Sequence, residues 1–179
     1  MWGVTQLHDV VYVVCRASST ITRFNATTHQ RLTDINVKDL RLPGDIVACE
    51  RTSQLYVSDT RHSVWRMSSD GTDMQQWFLD FSFISTRLSV TSTRLLMTSH
   101  DTHQLLQFNA HGDELRRVQL PRQMLPQHAV ESPTGTFIVS LYNKQLKHDQ
   151  VVEVNTGGEV LRQFSGSRLT SLGLSLIHI

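Results

Sequence analysis

The triplet Val11-Tyr12-Val13 returns as Leu55-Tyr56-Val57, Leu95-Leu96-Met97 and Phe137-Ile138-Val139, in steps of 44, 40 and 42 residues. A tetrad follows each copy: Ile21-Thr22-Arg23-Phe24, Val64-Trp65-Arg66-Met67, Leu105-Leu106-Gln107-Phe108 and Val151-Val152-Glu153-Val154. Its first and fourth positions are apolar and its third is polar in every copy. Asn25, Ser68, Asn109 and Asn155 come next. Gly71, Gly112 and Gly158 stand four residues past the tetrads of copies two to four, with Thr28 at that place in copy one. Asp70-Gly71, His111-Gly112 and Gly157-Gly158 read as tight hairpin turns, where glycine takes positive φ at no steric cost.

Each copy carries two more short strands. One precedes the triplet (Trp2–Val4, Ile46–Cys49, Leu88–Val90, Ala129–Val130), and one follows the turn (Gln30–Ile35, Asp73–Trp77, Glu114–Val118, Glu159–Phe164). Four short strands in 40–45 residues match the length and strand count of a propeller blade. Helices are excluded by runs that are short, β-branched and punctuated by turn residues. A β-sandwich explains short strands but not one strand-turn order repeated at one period. The expected fold is all-β, a partial β-propeller of about four four-stranded antiparallel blades, near 1–39, 40–81, 82–122 and 123–167 within a 1–173 unit. Leu115 and Val118 are expected to pack from the outer strand while Arg116 and Arg117 face solvent. Each blade buries its faces only against neighbours, so an open set of four exposes two apolar faces. At about 25 cal/mol per Å², several hundred Å² per end forgoes on the order of 10 kcal/mol. Aggregation, or pairing of two chains through their open ends, is the expected consequence.

The 179 residues hold Lys+Arg 17 against Asp+Glu 16, a net charge of +1. Gross electrostatic attraction to nucleic acid or acidic lipid is therefore excluded as a whole-protein property, though a local basic patch is not. No apolar stretch reaches 18 residues, so no membrane span is expected. Met1–Val14 lacks the basic start of a signal peptide. Two cysteines exclude a disulfide-stapled scaffold, and Cys15 and Cys49 are expected to be buried free thiols beside inner strands. Low cysteine usage and the absence of a targeting segment favour a cytoplasmic site.

The segment DIVACERTSQLYVSDTRHSVWRMSSDGTDMQQW, Asp45–Trp77, resembles an NHL repeat. HAVESPTGTFIVS with QVVEVNTGGEVLRQF is similar to another copy. The resemblance spans nearly the whole chain as four copies and points to the NHL-repeat, six-bladed TolB-like β-propellers. It implies a ring of about six blades, so four read as a fragment. Leu174–Ile179, LSLIHI, resembles the translation of a sequencing-library transposon end, CTG TCT CTT ATA CAC ATC, and is set aside as non-native. Further blades are then expected beyond Gly173.

No catalytic, cofactor or metal signature is present. His100-Asp101-Thr102-His103 and His148-Asp149 lack the further ligands and spacing of a zinc site and read as solvated loops. The glycine pairs do not open a helix and are turns, not phosphate loops. No G-x-S-x-G elbow occurs, and Ser165–Ser167 lacks its spacing. Trp2, Trp65, Trp77, Phe24, Phe108 and Phe164 read as packing between blades rather than base-stacking platforms. In a propeller the loops between strands two and three share one rim with the connections between blades. The candidate binding surface there is Arg16, Arg41, Asp59, Arg61, His62, His100, Asp101, His103, Tyr142 and Lys144. Lys38, Arg122, Lys147 and His148 join it, with Asp39, Asp80 and Asp149 opposing.

The expected function is a non-catalytic scaffold for protein–protein interaction, with a protein partner and no cofactor. Arginine enrichment on the rim makes an RNA-binding module the alternative, since some NHL-type propellers read single-stranded RNA. A metal-dependent lactonase or lyase of the six-bladed type is the second alternative. The apolar inner-strand residues Val47, Val90 and Val130 speak against it, because such an enzyme sets oxygen ligands on its inner strands.

Overall fold

In a computed structural model, residues 3–59, 62–79, 87–92 and 94–164 are described. They form sixteen strands and a single 3-10 turn, Glu50–Thr52. The first sheet holds β1 (Gly3–Leu7), β2 (Val10–Val14), β3 (Thr20–Asn25) and β4 (Ile35–Asn36). The second holds β5 (Pro43–Cys49), β6 (Gln54–Asp59), β7 (Ser63–Ser68) and β8 (Met74–Leu79). The third holds β9 (Arg87–Thr91), β10 (Arg94–Ser99), β11 (Gln104–Phe108) and β12 (Glu114–Gln119). The fourth holds β13 (Met124–Glu131), β14 (Phe137–Asn143), β15 (His148–Val154) and β16 (Val160–Phe164). Every sheet is antiparallel and runs in chain order, the meander of a propeller blade. Among the described residues no helix is long and apolar enough to cross a membrane.

Pleating explains why the triplets and tetrads sort as they do, since alternate residues point to opposite faces. In blade 2, Leu55, Val57 and Met67 join the core shared with blade 1, while Tyr56 and Val64 join the core shared with blade 3. In blade 3, Leu95, Met97 and Phe108 face back to blade 2, whereas Leu96 and Leu105 face blade 4. Phe137, Val139 and Val154 then close that third core from blade 4. At the three internal interfaces, the middle residue of a triplet therefore faces the following blade, and the outer two face the preceding one. Inner strands lie side by side, β1 by β5, β5 by β9 and β9 by β13, but among the described residues β1 has no comparable contact with β13.

Two faces are consequently uncovered among the described residues. On blade 1, Val11, Val13 and Phe24 are half-buried and Val4 is 51% exposed. On blade 4, Ile138 and Val151 are half-buried and Phe164 is 44% exposed.

The turns after the tetrads form as their residues dictate. Asn25, Asn109 and Asn155 each accept backbone N–H bonds on Oδ1 from residues two to four further on. Ser68 Oγ accepts from Asp73 N–H at 3.0 Å. Gly71, Gly112 and Gly158 all have positive φ, +81°, +98° and +85°. Each also approaches the outermost strand of the preceding blade. A Cβ on Gly71 would lie 2.6 Å from Ile35 Cγ2, one on Gly112 3.1 Å from Trp77 Nε1, and one on Gly158 would collide with the Gln119 carbonyl oxygen. These turns are thus interblade contacts as well as reversals of chain.

Several expectations need correction. The fourth strand of blade 1 is only Ile35–Asn36, with an isolated bridge from Phe24 to Arg31, and its turn closes through His29 N–H to Asn25 O. Leu115 is exposed rather than packed, since the register of β11 and β12 shifts at Gln107/Phe108 and turns it outward. Cys49 is buried with Sγ 3.3 Å from Ser92 O, but Cys15 is exposed, one residue past β2 in a turn; both thiols are free. Among the aromatics, Trp77 packs edge-on against Tyr56 at 5.4 Å and Phe108 at 5.3 Å, as expected of interblade residues. Phe164 does not pack in this way, and Trp2 and the segment 165–179 lie outside the described residues.

Candidate functional site

The connections between blades and the turns between second and third strands meet on one rim, tied by backbone bonds. Val37 N–H donates to Ser19 O at 2.8 Å, Leu120 N–H to His103 O at 2.9 Å, and Lys144 N–H to Gln123 O at 2.9 Å. His103 Nδ1 lies 2.9 Å from Met124 O, which fixes its half-buried ring against the start of β13. His62, His103 and Lys147 each directly precede the third strand of their blade and each has positive φ, 74°, 56° and 57°. A left-handed residue ends each of these turns, where glycine or asparagine is the usual occupant.

Charge on the rim is more one-sided than the residue list suggests. Arg16, Lys38, Arg41, Arg122, Lys144, Lys147 and His148 are exposed. Asp39 and Asp101 are exposed too, Asp101 Oδ1 lying 3.2 Å from His100 Nδ1. Asp59 is not available to a partner in the way expected of it. It is buried, and Oδ2 accepts the Arg41 N–H at 3.0 Å, so its carboxylate serves the connection from blade 1 to blade 2. Asn143, also at the end of a second strand, instead holds its own blade's turn, accepting from Gln145 and Leu146 N–H at 3.0 and 3.1 Å. Asp149 and Tyr142 are half-buried. Arg61 and Asp80 lie outside the described residues.

A second polar row was missed by sequence reasoning. Strand pairing places Ile46 opposite Val57, Leu88 opposite Met97 and Ala129 opposite Val139, so Gly3, Asp45, Arg87 and His128 are equivalent positions on the four inner strands. Asp45 Oδ2 accepts the Leu88 N–H and Oδ1 the Ile46 N–H, both at 3.0 Å. Arg87 Nη1 donates to Gly44 O at 2.8 Å, and His128 Nε2 lies 3.2 Å from Leu88 O. Burial pushes the Asp45 carboxyl up from its ordinary value, against the opposing pull of the Leu88 N–H and the Arg87 charge. The row therefore cross-links inner strands of neighbouring blades. A signal for it existed: Pro43-Gly44-Asp45 and Pro126-Gln127-His128 both sit at a register shift, where proline's missing N–H is tolerated. Val47, Val90 and Val130 are not one row. The true row is Thr5, Val47, Ser89 and Val130, and Ser89 Oγ donates to Ala129 O at 2.7 Å. Among the described residues no group of three or more His, Cys, Asp or Glu is placed to hold a metal ion.

Solved structures that this chain resembles are β-propellers. It aligns with the WD40 β-propeller domain of Doa1 at a TM-score of 0.72 and 14% identity, over 94% of this chain and 55% of that one. It aligns with virginiamycin B lyase from Staphylococcus aureus, a catalytically inactive form with quinupristin, at 0.72 and 13% identity, over 92% and 55%. The nidogen/laminin complex gives 0.70 and 16% identity, over 88% and 62%. At these identities the likeness shows the fold, and the chain spans about half to three-fifths of the structures it matches. No protein-family model and no curated protein sequence matches it. The described residues thus form four blades of a β-propeller.

Proposed function

We propose that the chain is a non-catalytic propeller scaffold whose rim docks a protein segment rich in aspartate and glutamate. The observation that carries this reading is the rim's charge: Arg16, Lys38, Arg41, Arg122, Lys144 and Lys147 are exposed there, while Asp59 is withdrawn into the fold. Propeller loops are a rigid frame for such a surface, because the blades beneath hold each turn. Exposed cations steer an acidic partner and set its register more than they add affinity. The finer family resemblance, to NHL and six-bladed TolB-like propellers, rests on Asp45–Trp77 and is compatible with this role. Relatives of the fold include a protein complex, nidogen/laminin, and an enzyme, virginiamycin B lyase, so fold likeness alone favours neither.

The test is fluorescence anisotropy with acidic peptides and, in parallel, single-stranded RNA of matched charge. Arg41→Glu combined with Lys144→Glu is expected to weaken peptide binding at least tenfold. RNA bound more tightly than peptide, with affinity falling steeply in salt, would replace the protein reading. Peptide affinity unmoved by the double reversal would refute the rim as the docking surface.

A further inference from the structure

The three internal interfaces show in triplicate what a blade requires of the one that follows it. Tyr12, Ile21 and Ile35 face blade 2 from blade 1, and Leu96, Leu105 and Val118 face blade 4 from blade 3; all six are buried. Strand pairing assigns the same places on blade 4 to Ile138, Val151 and Phe164. Phe164 pairs with Val151 as Ile35 pairs with Ile21, yet Ile35 is 4% exposed and Phe164 44%. Beyond this row, Leu161 is 51% exposed on the same outer strand.

At each internal interface the following blade lays its third-to-fourth-strand turn on the outer strand before it, and glycine makes the approach possible. Gly71 meets Ile35, Gly112 meets Trp77 and Gly158 meets Gln119. Blade 1 departs from this rule. Its turn has Thr28 at the glycine position and one left-handed residue later, His29 with φ 58°. Thr28 and His29 are exposed. Blade 1 of a second copy would therefore present a bulkier turn, with no glycine at the contact, to Phe164.

We infer that the face of β14–β16 bearing Ile138, Val151 and Phe164 is an interface for a further blade of the same repeat, one with glycine four residues past its third-strand tetrad. That blade must also offer apolar residues at the places Phe137, Val139 and Val154 hold in blade 4, because those cover the equivalent row of blade 3. This inference does not depend on the function of the rim.

The probe is a duplicate of Met124–Phe164 appended after Ile179 of the full chain, the intervening 15 residues exceeding the connections between blades. Amide exchange in the original Val160–Phe164 is expected to slow at least tenfold. The same extension with valine in place of the duplicate of Gly158 is expected to lose that protection. Unchanged exchange on extension, or equal protection with glycine and valine, would overturn the proposal. Sedimentation of the unextended full chain supplies an independent readout. A dimer abolished equally by Val13→Glu and Phe164→Glu would assign the face to blade 1 of a second copy and overturn it. A micromolar monomer supports it.

Discussion

Replacing Gly158 by alanine separates a turn's backbone demand from its packing demand, because the same chain contains the control. Gly135 has φ +79°, close to the +85° of Gly158, and a Cβ added at Gly135 would meet nothing within 4 Å. Gly135→Ala thus isolates the left-handed penalty of about 1–2 kcal/mol, reduced by the entropy alanine removes from the unfolded chain, about 0.4–1 kcal/mol. About 1 kcal/mol remains. At Gly158 the same methyl runs into the Gln119 carbonyl oxygen, with the Gln119 carbonyl carbon at 3.1 Å and Val118 Cγ1 at 3.5 Å. Backbone cannot rotate away as a side chain would, so the β15–β16 turn must lift from β12 and loosen the cover on Val118. Overpacking of this kind costs about 1–3 kcal/mol. Gly158→Ala is expected to cost about 2–4 kcal/mol in all, against about 1 for Gly135→Ala. Urea midpoints at unchanged m-value measure both. Equal losses at the two sites would show that the glycine serves φ alone and that the turn does not bear on the preceding blade.

Three further outcomes follow from particular contacts. Asp70 Oδ1 accepts from Ser68 Oγ at 2.6 Å and from Thr72 N–H and Oγ1, which holds its carboxyl down to about 2. A pKa lowered on folding contributes stability above the unfolded value and loses it as pH falls, so urea midpoints should decline between about pH 4 and 2; Asp70→Asn should flatten that decline, and an unchanged slope would refute the assignment. Tyr12→Phe removes the bond from its hydroxyl to Ser69 O at 2.8 Å, leaving that carbonyl the longer bond from Arg23 Nη1 at 3.3 Å. A loss of about 1 kcal/mol in thermal or urea unfolding is expected, and no change would mean blades 1 and 2 are not joined there. A thiol reagent should modify Cys15 at once in the folded protein and Cys49 only on unfolding; simultaneous fast reaction of both would contradict the burial of Cys49.

What the amino-acid sequence determined by itself was everything that repeats locally. Triplet, tetrad and turn recur in one order, so strand count, blade count and turn positions were legible, and Asn109, Asn155, Gly112 and Gly158 behave as their types require. The rim was legible as topology too, since antiparallel strands in chain order bring alternate loops to one end. Only the tertiary structure decided which partners those local pieces meet. The repeat glycines are small because another blade's outer strand lies against them, a distance no spacing along the chain encodes. Asp59 reads as a surface acid in sequence but is buried, because the Arg41 N–H of an incoming connection needs an acceptor. Asp45, Arg87 and His128 align only once bulges at two prolines set the register of the inner strands. The chemistry of each residue is local, whereas burial and partnership are properties of blades that come together across forty residues of chain.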